Sequence, residues 1–255
     1  MPVFELPDTL KRIIGNRTLS ADNVGRSKAF VAYAGDDLVI KSDEKGRLEN
    51  AAKMQTFLNK NDLAPELLYY ESSDRDYTVS RRALGKSAID KEYLKNPERL
   101  AWALGEFLCR IHSLDPALCP VQGITEATIS ALETILSGDF TLKTYLTEFL
   151  SICDRDEAVK IVLSEKQNFR SDCVLHGDYC LPNVMLSDFT PVHAIDTGEG
   201  GVGDRHFDLF WGLWSLNYNL KSNAYGKAFL EAYGKDHVQW DRIRASACIF
   251  ALERE

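Results

Sequence analysis

Three oxygen-bearing side chains stand at a spacing that could place a metal ion beside a reacting hydroxyl group. Asp178 follows His176 by two residues, Asn183 comes five residues after Asp178, and Asp196 follows a segment of strand and turn signals. Carboxylate and amide oxygens are hard ligands that Mg²⁺ accepts when phosphate oxygens complete its shell. The pattern therefore predicts a magnesium site at Asn183 and Asp196, with Asp178 available as a general base.

This site requires the chain to reverse direction between its two metal ligands. Residues 184–186 and 192–195 are short β-like runs, so a hairpin is predicted to bring Asp196 back to Asn183. The order H-x-D-x-x-x-x-N, hairpin and Asp is the arrangement that kinase-type phosphoryl transfer uses. The chemistry that these residues favour is therefore transfer of a phosphoryl group to an alcohol.

A second pattern, formed by Gly198, Gly200 and Gly203, matches the dinucleotide fingerprint G-x-G-x-x-G. A dinucleotide site also needs a second parallel strand, and an acid about twenty residues later to hold the ribose. Residues 220–224 contain no carboxylate, and the remaining chain has helical patterning. The sequence thus argues against NAD binding and indicates that the glycines turn the backbone after Asp196.

The periodicity of the chain predicts an α+β protein with two lobes. Two hairpins and one helix are predicted first, at residues 29–34, 37–41, 46–58, 66–70 and 77–80. After about residue 85 helices dominate, at residues 99–112, 124–136, 142–152, 209–220, 224–233 and 240–252. We expect a nucleotide-binding lobe at residues 1–84, and a catalytic and substrate-binding lobe at residues 85–255, with the ligand cleft between them.

Composition and charge narrow the class of protein. Of the 255 residues, 45% are hydrophobic and 27% charged, as in ordinary globular proteins. The net charge of −8 disfavours nucleic acid and anionic membranes; it serves either solubility or the attraction of a cationic ligand. Six cysteines without a C-x-x-C pair, and the absence of a signal-like or membrane-spanning run, predict a cytoplasmic protein without zinc. No obligate protein partner is indicated.

The runs HGDYCLPNVML and AIDTGEGGVGDRHFDLFWGLW resemble the aminoglycoside phosphotransferase family, close to its 3′-hydroxyl kinases. The resemblance is specific over residues 175–214. It implies a protein-kinase-like fold, with a small antiparallel-sheet lobe before a larger helical lobe. It also implies ATP or GTP as phosphoryl donor, Mg²⁺ as cofactor, a small-molecule acceptor, and an activity of the antibiotic-resistance type. Asp178 would be the catalytic base, and His176, Asp204 and Asp208 would support its loop.

The resemblance further implies a nucleotide site in the first lobe. Lys41, at the end of the run LVIK, would hold the α- and β-phosphates. Glu49 is the candidate for its ion-pair partner, although Ala51 aligns where the family has a Glu. The connector of residues 80–84 would meet adenine through its backbone. The full set of nucleotide candidates is Lys41, Ser27, Glu49, Ser80 and Ala83.

An aminoglycoside is a polycation, so carboxylates should line its site and accept charge-assisted hydrogen bonds from ammonium groups. The family's 3′-kinases usually end in an Asp-Glu pair followed by apolar residues. This chain instead ends in ALERE, with Arg254 between the two acids, which leaves the identity of the acceptor open. The candidates for the acceptor site are Glu199, Asp154, Glu157, Glu253 and Glu255.

Three alternatives remain open at this point. A kinase of the same fold could act on choline, ethanolamine or an amino sugar. A non-catalytic module could bind nucleotide without transferring phosphate. A metal-dependent phosphoesterase could use His176, Asp178 and Asp196 to hydrolyse phosphate esters without nucleotide, but it would leave the first lobe unexplained.

Overall fold

A five-stranded antiparallel sheet forms the first part of the fold. The structure, a computed structural model, describes residues 6–21 and 29–254. In that part of the chain the sheet has the order β1-β2-β3-β5-β4. The elements are α1 (Asp8–Ile14), β1 (Leu19–Ala21), β2 (Phe30–Ala34), β3 (Leu38–Glu44), α2 (Glu49–Asn59), β4 (Leu67–Ser72) and β5 (Arg75–Arg81).

The strand β3 shows how this sheet presents Lys41. Leu38 and Ile40 are buried in a small core that includes Leu10 of α1, whereas Val39 and Lys41 are only half-buried. Because successive side chains of a strand point to opposite faces, Lys41 lies on the face away from that core. The alternation therefore places a lysine on the side of the sheet that is free to receive a ligand.

The second part of the fold is mostly helical. Its helices are α3 (Lys91–Leu94), α4 (Pro97–His112), α5 (Ile124–Leu136), α6 (Arg155–Glu165), α7 (His206–Leu220), α8 (Gly226–Tyr233) and α9 (Trp240–Ala251). The apolar stripe of α4, which includes Leu104, Phe107 and Leu108, is buried. Burial of such a stripe stabilises a helix more than its intrinsic propensity does. This helix packs chiefly against α8 and carries the central core of the molecule.

Three small antiparallel ribbons complete the second part. Its strands are β6 (Lys86–Ser87), β7 (Phe140–Leu142), β8 (Cys173–Leu175), β9 (Val184–Ser187), β10 (Thr190–Ala194), β11 (Gly201–Gly203) and β12 (Leu252–Arg254). The pairs are β9 with β10 and β6, β8 with β11, and β7 with β12. The predicted hairpin between the two metal-ligand candidates is confirmed as the β9–β10 ribbon.

The α+β class is confirmed, and most predicted elements are present, but the helix predicted at residues 142–152 is wrong. That segment begins in β7 and continues as two short 3₁₀ turns. Ser151 is left-handed, with φ of 61°, and the Thr147 hydroxyl donates to the carbonyl of Ile152, so a local turn replaces the helix. The sequence pattern did not predict α1, α3, α6, β1, β6, β7, β11 or β12. The division at residues 84 and 85 stays a prediction.

Two predictions from composition concern the state of the cysteines and the presence of membrane-spanning helices. All six cysteines are free thiols. Among the described residues, no helix combines the length and the apolar character needed to cross a bilayer.

Candidate active site

The loop after β8 is held by one buried carboxylate. Asp208, fully buried in the first turn of α7, accepts hydrogen bonds from the backbone N–H groups of His176 at 2.6 Å and Gly177 at 2.9 Å. The Oδ2 atom of Asp208, which accepts from His176, also lies 3.1 Å from Nε2 of His112. Hydrogen bonds to a buried anion are stronger than those between neutral groups. The residue therefore fixes the backbone immediately before Asp178.

His112 is the neutral member of this network. Burial lowers the pKa of His112, and this effect outweighs the opposing hydrogen bond and charge of Asp208. A neutral ring is satisfied when Nε2–H donates to Asp208 and Nδ1 accepts from the Tyr233 hydroxyl at 2.8 Å. The ring thus joins α4, α7 and α8 beneath the loop.

His176 connects the same loop to the strand that leads to Asp196. Its Nδ1 accepts from the N–H of Asp178 at 3.2 Å, and its Nε2 lies 2.9 Å from the carbonyl oxygen of Ile195. A neutral ring protonated at Nε2 satisfies both contacts. The predicted bracing role of His176 matches this geometry, because the side chain is fully buried and bridges the N–H of Asp178 and the residue before Asp196.

Asn183 is held against Asp178. Its Nδ2 donates to the carboxylate Oδ2 of Asp178 at 2.9 Å and to that residue's carbonyl oxygen at 3.0 Å. Since both partners are acceptors, the amide nitrogen must face them, and the amide oxygen points elsewhere. The N–H of Ile195 also donates to the carbonyl of Asn183 at 2.9 Å, which fixes the register between the two metal-ligand candidates.

Asp196 occupies a special backbone conformation at the end of the ribbon. Its φ is 59°, in the left-handed region that Asp tolerates better than most residues and that is frequent at functional sites. Its side chain is exposed, and its Oδ1 contacts Nζ of Lys41. The structure therefore joins the lysine of the sheet with the carboxylate at the end of the ribbon, across 155 residues of sequence.

The metal prediction can be tested on the chemistry of this donor set. Asn183 presents a nearly buried amide whose nitrogen is already paired, and Asp196 presents an exposed carboxylate. Among the described residues there is no group of three or more His, Cys, Asp or Glu side chains that could hold a metal alone. One amide oxygen and one carboxylate fit Mg²⁺, which completes its shell with phosphate oxygens and water.

The glycines that imitate a dinucleotide fingerprint pack against the catalytic loop. The strand β11 pairs antiparallel with β8, so Gly201 lies opposite Leu175, and residues 204–254 contain no strand parallel to it. At Gly177, where φ is 91°, a Cβ atom would lie 2.1 Å from the carbonyl oxygen of Glu199. Only glycine permits this approach of two backbones. The rejection of the NAD interpretation is therefore consistent with the strand pairing.

The loop is anchored from below by α4 and α7. The Tyr179 hydroxyl donates to the carbonyl of Leu104 at 2.7 Å, and the N–H of Leu181 donates to the Ser215 hydroxyl at 2.9 Å. Burial raises the pKa of the Cys180 thiol strongly, with the neighbouring Asp178 charge adding to the effect. The thiol of Cys180 therefore stays protonated, so Cys180 is a packing residue and not a nucleophile.

Asp204, the first acid of the D-x-x-x-D pattern, has a role distinct from that of Asp208. Its Oδ1 accepts from the N–H of His206 at the start of α7, and its Oδ2 accepts from the N–H of Arg170 at 2.7 Å. Burial raises the pKa of Asp204, but hydrogen bonds from His206 and Arg170 hold it below its usual range. Asp204 orients α7, which in turn carries Asp208.

The predicted ion pair between Lys41 and Glu49 is not the one present. Glu49, the first residue of α2, lies 2.7 Å from Lys53 of the same helix, and Lys41 contacts Asp196 instead. The side chain of Glu49 is half exposed, so an i,i+4 pair on the helix surface is its accessible partner. Ala51, at the position where the family has Glu, lies against Gly198: a Cβ atom built at Gly198 would be 3.6 Å from the Ala51 Cβ.

Two of the remaining nucleotide candidates, Ser80 and Ala83, lie at the end of β5 and just after it. Ser80 belongs to β5, where it pairs with Val39 and Leu67, and half-buried Ala83 follows in the connector. The N–H of Leu84 lies 3.2 Å from Nδ1 of His193, so the ribbon holds the connector. Ser27 and most of its loop lie outside the described residues.

The four acceptor candidates that the structure describes differ from the loop residues in being exposed. Asp154 caps α6 by accepting from the N–H of Glu157 at 2.8 Å. Glu157 lies 3.7 Å from Arg244, and Glu253 lies 2.8 Å from Lys143. Glu199 is exposed beside Gly177, and Glu255 lies outside the described residues. These contacts are ordinary cap and surface interactions, so the acceptor roles stay predictions.

Sequence reasoning missed Asn50. This residue of α2 donates from Nδ2 to the carbonyl oxygens of Gly198 at 2.6 Å and Gly200 at 3.2 Å. No spacing rule could have indicated these two contacts, because Gly198 and Gly200 follow Asn50 in the sequence by 148 and 150 positions.

Comparison with known proteins supports the same interpretation. Residues 18–245 match the phosphotransferase enzyme family. The chain is 33% identical over 214 residues to a probable aminoglycoside 3′-phosphotransferase of Lactococcus lactis subsp. lactis (strain IL1403), covering 84% of this chain and 81% of that protein.

Two solved structures share the fold. A type VIII aminoglycoside-3′-phosphotransferase superposes with a TM-score of 0.70 at 20% identity, covering 96% of this chain and 97% of the other. The phosphotransferase APH(3″)-Id of Streptomyces rimosus ATCC10970, in complex with ADP and streptomycin, superposes with a TM-score of 0.72 at 18% identity, covering 95% of each chain. The two-lobed fold implied by the resemblance is confirmed. With its family match and its relative at 33% identity, this chain belongs to the aminoglycoside phosphotransferase family of phosphotransferase enzymes.

Proposed function

We propose that this enzyme transfers the γ-phosphoryl group of ATP or GTP to the 3′-hydroxyl of an aminoglycoside. The observation that carries the proposal is a single connected set of contacts. Lys41 touches Asp196, the residue before Asp196 is tied to both His176 and Asn183, and Asn183 is tied to Asp178. The residues proposed as phosphate-binding cation, metal ligands and general base are thus linked through one set of contacts.

The donor would lie between the sheet and the ribbon. Lys41 is the cation proposed to bind the phosphates of the donor. At intermediate dielectric, a lysine a few ångströms from one phosphate charge gains Coulomb energy of order 4 kcal/mol. The connector at Ser80 and Ala83 would contact the base through its backbone, and the His193 contact to Leu84 holds that backbone in place.

Asn183 and Asp196 would hold Mg²⁺, which would neutralise charge on the triphosphate. The chain's own contribution is to fix both ligands before the donor binds. Asn183 is oriented by its two contacts to Asp178, and Asp196 by the ribbon and by the His176 contact to Ile195. Preorganised ligands and positioning supply most of the catalysis in loose phosphoryl-transfer transition states.

Asp178 would act on the acceptor. Its carboxylate orients the acceptor hydroxyl and takes its proton while the hydroxyl oxygen bonds to the γ-phosphorus. The bond between that phosphorus and the bridging oxygen breaks, and the nucleoside diphosphate leaves. Asn183 donates to only one carboxylate oxygen of Asp178, Oδ2, which supports assigning the other oxygen to the hydroxyl.

An aminoglycoside is the acceptor class that the relatives and the charge support together. The relative at 33% identity is named as a probable aminoglycoside 3′-phosphotransferase, and the net charge of this chain is −8. Glu199, Asp154, Glu157 and Glu253 are the described carboxylates proposed to face its ammonium groups. Such an enzyme would confer resistance of the phosphotransfer type.

The test is release of ADP or GDP in the presence of a panel of acceptors. We expect release with a kanamycin-type aminoglycoside and none with its analogue lacking the 3′-hydroxyl. Release with choline, ethanolamine or a simple amino sugar, but not with aminoglycosides, would move the enzyme to another acceptor. Hydrolysis of phosphate esters without nucleotide would contradict phosphotransfer itself.

A further inference from the structure

We propose that Asn50 is a positioning residue, which holds the segment of residues 198–200 so that the preceding Asp196 keeps its metal-binding geometry. This inference rests on the proposed function, because it assigns a role at the same metal site. It concerns a residue of α2 that neither the motif spacing nor the resemblance singles out.

The contact is specific and directed. The single amide nitrogen of Asn50 carries two N–H groups and reaches the carbonyl oxygens of Gly198 at 2.6 Å and Gly200 at 3.2 Å. The side chain is half-buried, so water competes less for these carbonyls than it would at an exposed site. A side chain without donors would leave both carbonyls unsatisfied.

The neighbouring residue of α2 permits this close approach. The methyl group of Ala51 would lie 3.6 Å from a Cβ atom built at Gly198, an ordinary packing distance. A longer side chain at Ala51 would push α2 away from the segment. Glu49, on the same turn, is turned towards Lys53 and makes its ion pair within the helix. Asn50 therefore provides the polar link between α2 and this segment.

The segment is packed between α2 and the catalytic loop. On the side opposite Asn50, the Glu199 carbonyl lies directly over Gly177, and Gly200 lies against the carbonyls of Leu175 and His176. Displacement of residues 198–200 would therefore change the position of Asp196 on one side and of the loop that carries Asp178 on the other. Asn50 joins the first lobe to both.

The experiment compares Asn50→Ala and Asn50→Asp with Asn59→Ala. Asn59 is a matched control, because it lies half-buried on the same helix and donates from Nδ2 to the carbonyl of Ala64 at 2.9 Å rather than to residues 198–200. Asn50→Asp keeps the size of the side chain but sets a carboxylate against two carbonyl oxygens. It should therefore be at least as disruptive as Asn50→Ala.

Two measurements follow the effect without relying on catalysis. Amide hydrogen exchange over residues 196–203 should become faster in both Asn50 variants and stay unchanged in Asn59→Ala. The second measurement is the affinity for a non-hydrolysable ATP analogue, determined by calorimetry once with Mg²⁺ and once with EDTA. The ratio of the two affinities is the gain in affinity due to the metal. Residues that orient metal ligands typically change metal affinity or activity about 10- to 100-fold, so Asn50→Ala should reduce this gain about tenfold.

The outcomes separate the inference from the function on which it rests. A wild-type chain that binds the analogue no better with Mg²⁺ than with EDTA would overturn the proposed metal site, and the inference with it. A wild-type gain that Asn50→Ala and Asn50→Asp both keep in full, with unchanged hydrogen exchange, would overturn the inference alone. Loss of the gain in Asn59→Ala to the same extent would show a general effect of α2 stability and would also overturn it.

Discussion

The loop around Asp178 and the acids proposed for the acceptor are built in opposite ways. The loop is tied by buried groups, with Asp208, His176 and Asn183 each making at least two hydrogen bonds to it or to its neighbours. Glu157 and Glu253 instead make single exposed ion pairs. The difference shows where the geometry of this enzyme is fixed and where it is free to adapt.

Burial is the physical reason for the contrast. A buried carboxylate such as Asp208 must be fully paired, because desolvation of an unpaired charge is costly. Its residue type and position are therefore tightly restricted. An exposed glutamate is already solvated and gains little from one pairing, so its position can vary. The geometry of the loop around Asp178 is thus rigidly specified in this molecule, whereas the carboxylates proposed for the acceptor are loosely specified.

Removal of Asp178 should have the largest effect on the rate. Asp178→Ala removes the group that orients the acceptor hydroxyl and accepts its proton, so acceptor-dependent ADP release should fall about 10²- to 10⁴-fold. The control is Asp172→Ala, which removes an exposed carboxylate six residues upstream and should keep the wild-type rate. Equal rates for Asp178→Ala and the wild-type enzyme in this assay would remove Asp178 from the mechanism.

Removal of Asp208 should have the largest effect on stability. Asp208→Ala leaves the N–H groups of His176 and Gly177 and the ring of His112 without their acceptor. Each buried unsatisfied group costs about 1–3 kcal/mol, so the free energy of unfolding should fall by about 3–5 kcal/mol. Chemical denaturation measures it, and a fall below about 1 kcal/mol would contradict a buried anchoring role.

Substitution of Gly177 should have a somewhat smaller effect. Gly177→Ala places a methyl group against the carbonyl of Glu199, and overpacking of this kind costs about 1–3 kcal/mol. Gly46→Ala is the matched control, since Gly46 has a similar φ of 84° but no atom within 4 Å of its Cβ position. Thermal unfolding of both variants separates crowding from backbone strain. Equal losses would show that strain alone is responsible.

The pH dependence of stability should report on His112. Its pKa is lowered in the folded state by burial, so the unfolded chain binds a proton at about pH 6.5 while the folded chain binds it only at lower pH. The stabilising contribution is therefore complete above about pH 6.5 and declines as the pH falls below that value. Denaturation at pH 5.5 and 7.5 should show this loss, and His112→Gln should reduce it.

Substitution of an acceptor candidate should have the smallest effect on stability. Glu253→Gln breaks an exposed pair with Lys143, so the free energy of unfolding should change by less than about 1 kcal/mol. The KM for an aminoglycoside should rise while the KM for nucleotide stays constant. Glu133→Gln, which breaks a similar exposed pair with Lys166, should leave both KM values unchanged. A KM for aminoglycoside equal to that of the wild type would exclude Glu253 from the acceptor site.

The same contrast explains what could be predicted from the sequence. The positions of Asp178, Asn183 and Asp196 could be predicted because their spacing is fixed by a short loop and a ribbon, both encoded locally. Six helices and the hairpins followed from apolar periodicity. The helix predicted at residues 142–152 failed for two reasons: its first residues, Leu142 and Lys143, pair with residues 251 and 252, and its last residues form a local turn between Thr147 and Ile152.

Contacts between distant segments could not be predicted. The ion pair of Lys41 with Asp196 and the contact of Asn50 with Gly198 depend on how α2 and the sheet approach the second lobe. The strand β11 was missed because glycine has low β-propensity, and its pairing with β8 depends on the absence of side chains. In these places the contact depends on which distant segments the fold brings together, which local residue patterns do not reveal.

The β9–β10 ribbon carries more than the two metal-ligand candidates at its ends. It also pairs with β6, and its His193 contacts Leu84 in the connector between the lobes. Leu84 of the connector and the two metal-ligand candidates are therefore attached to one ribbon. A displacement of this ribbon would shift Leu84 together with Asn183 and Asp196, so the contacts proposed for the base and for the phosphates are coupled through it.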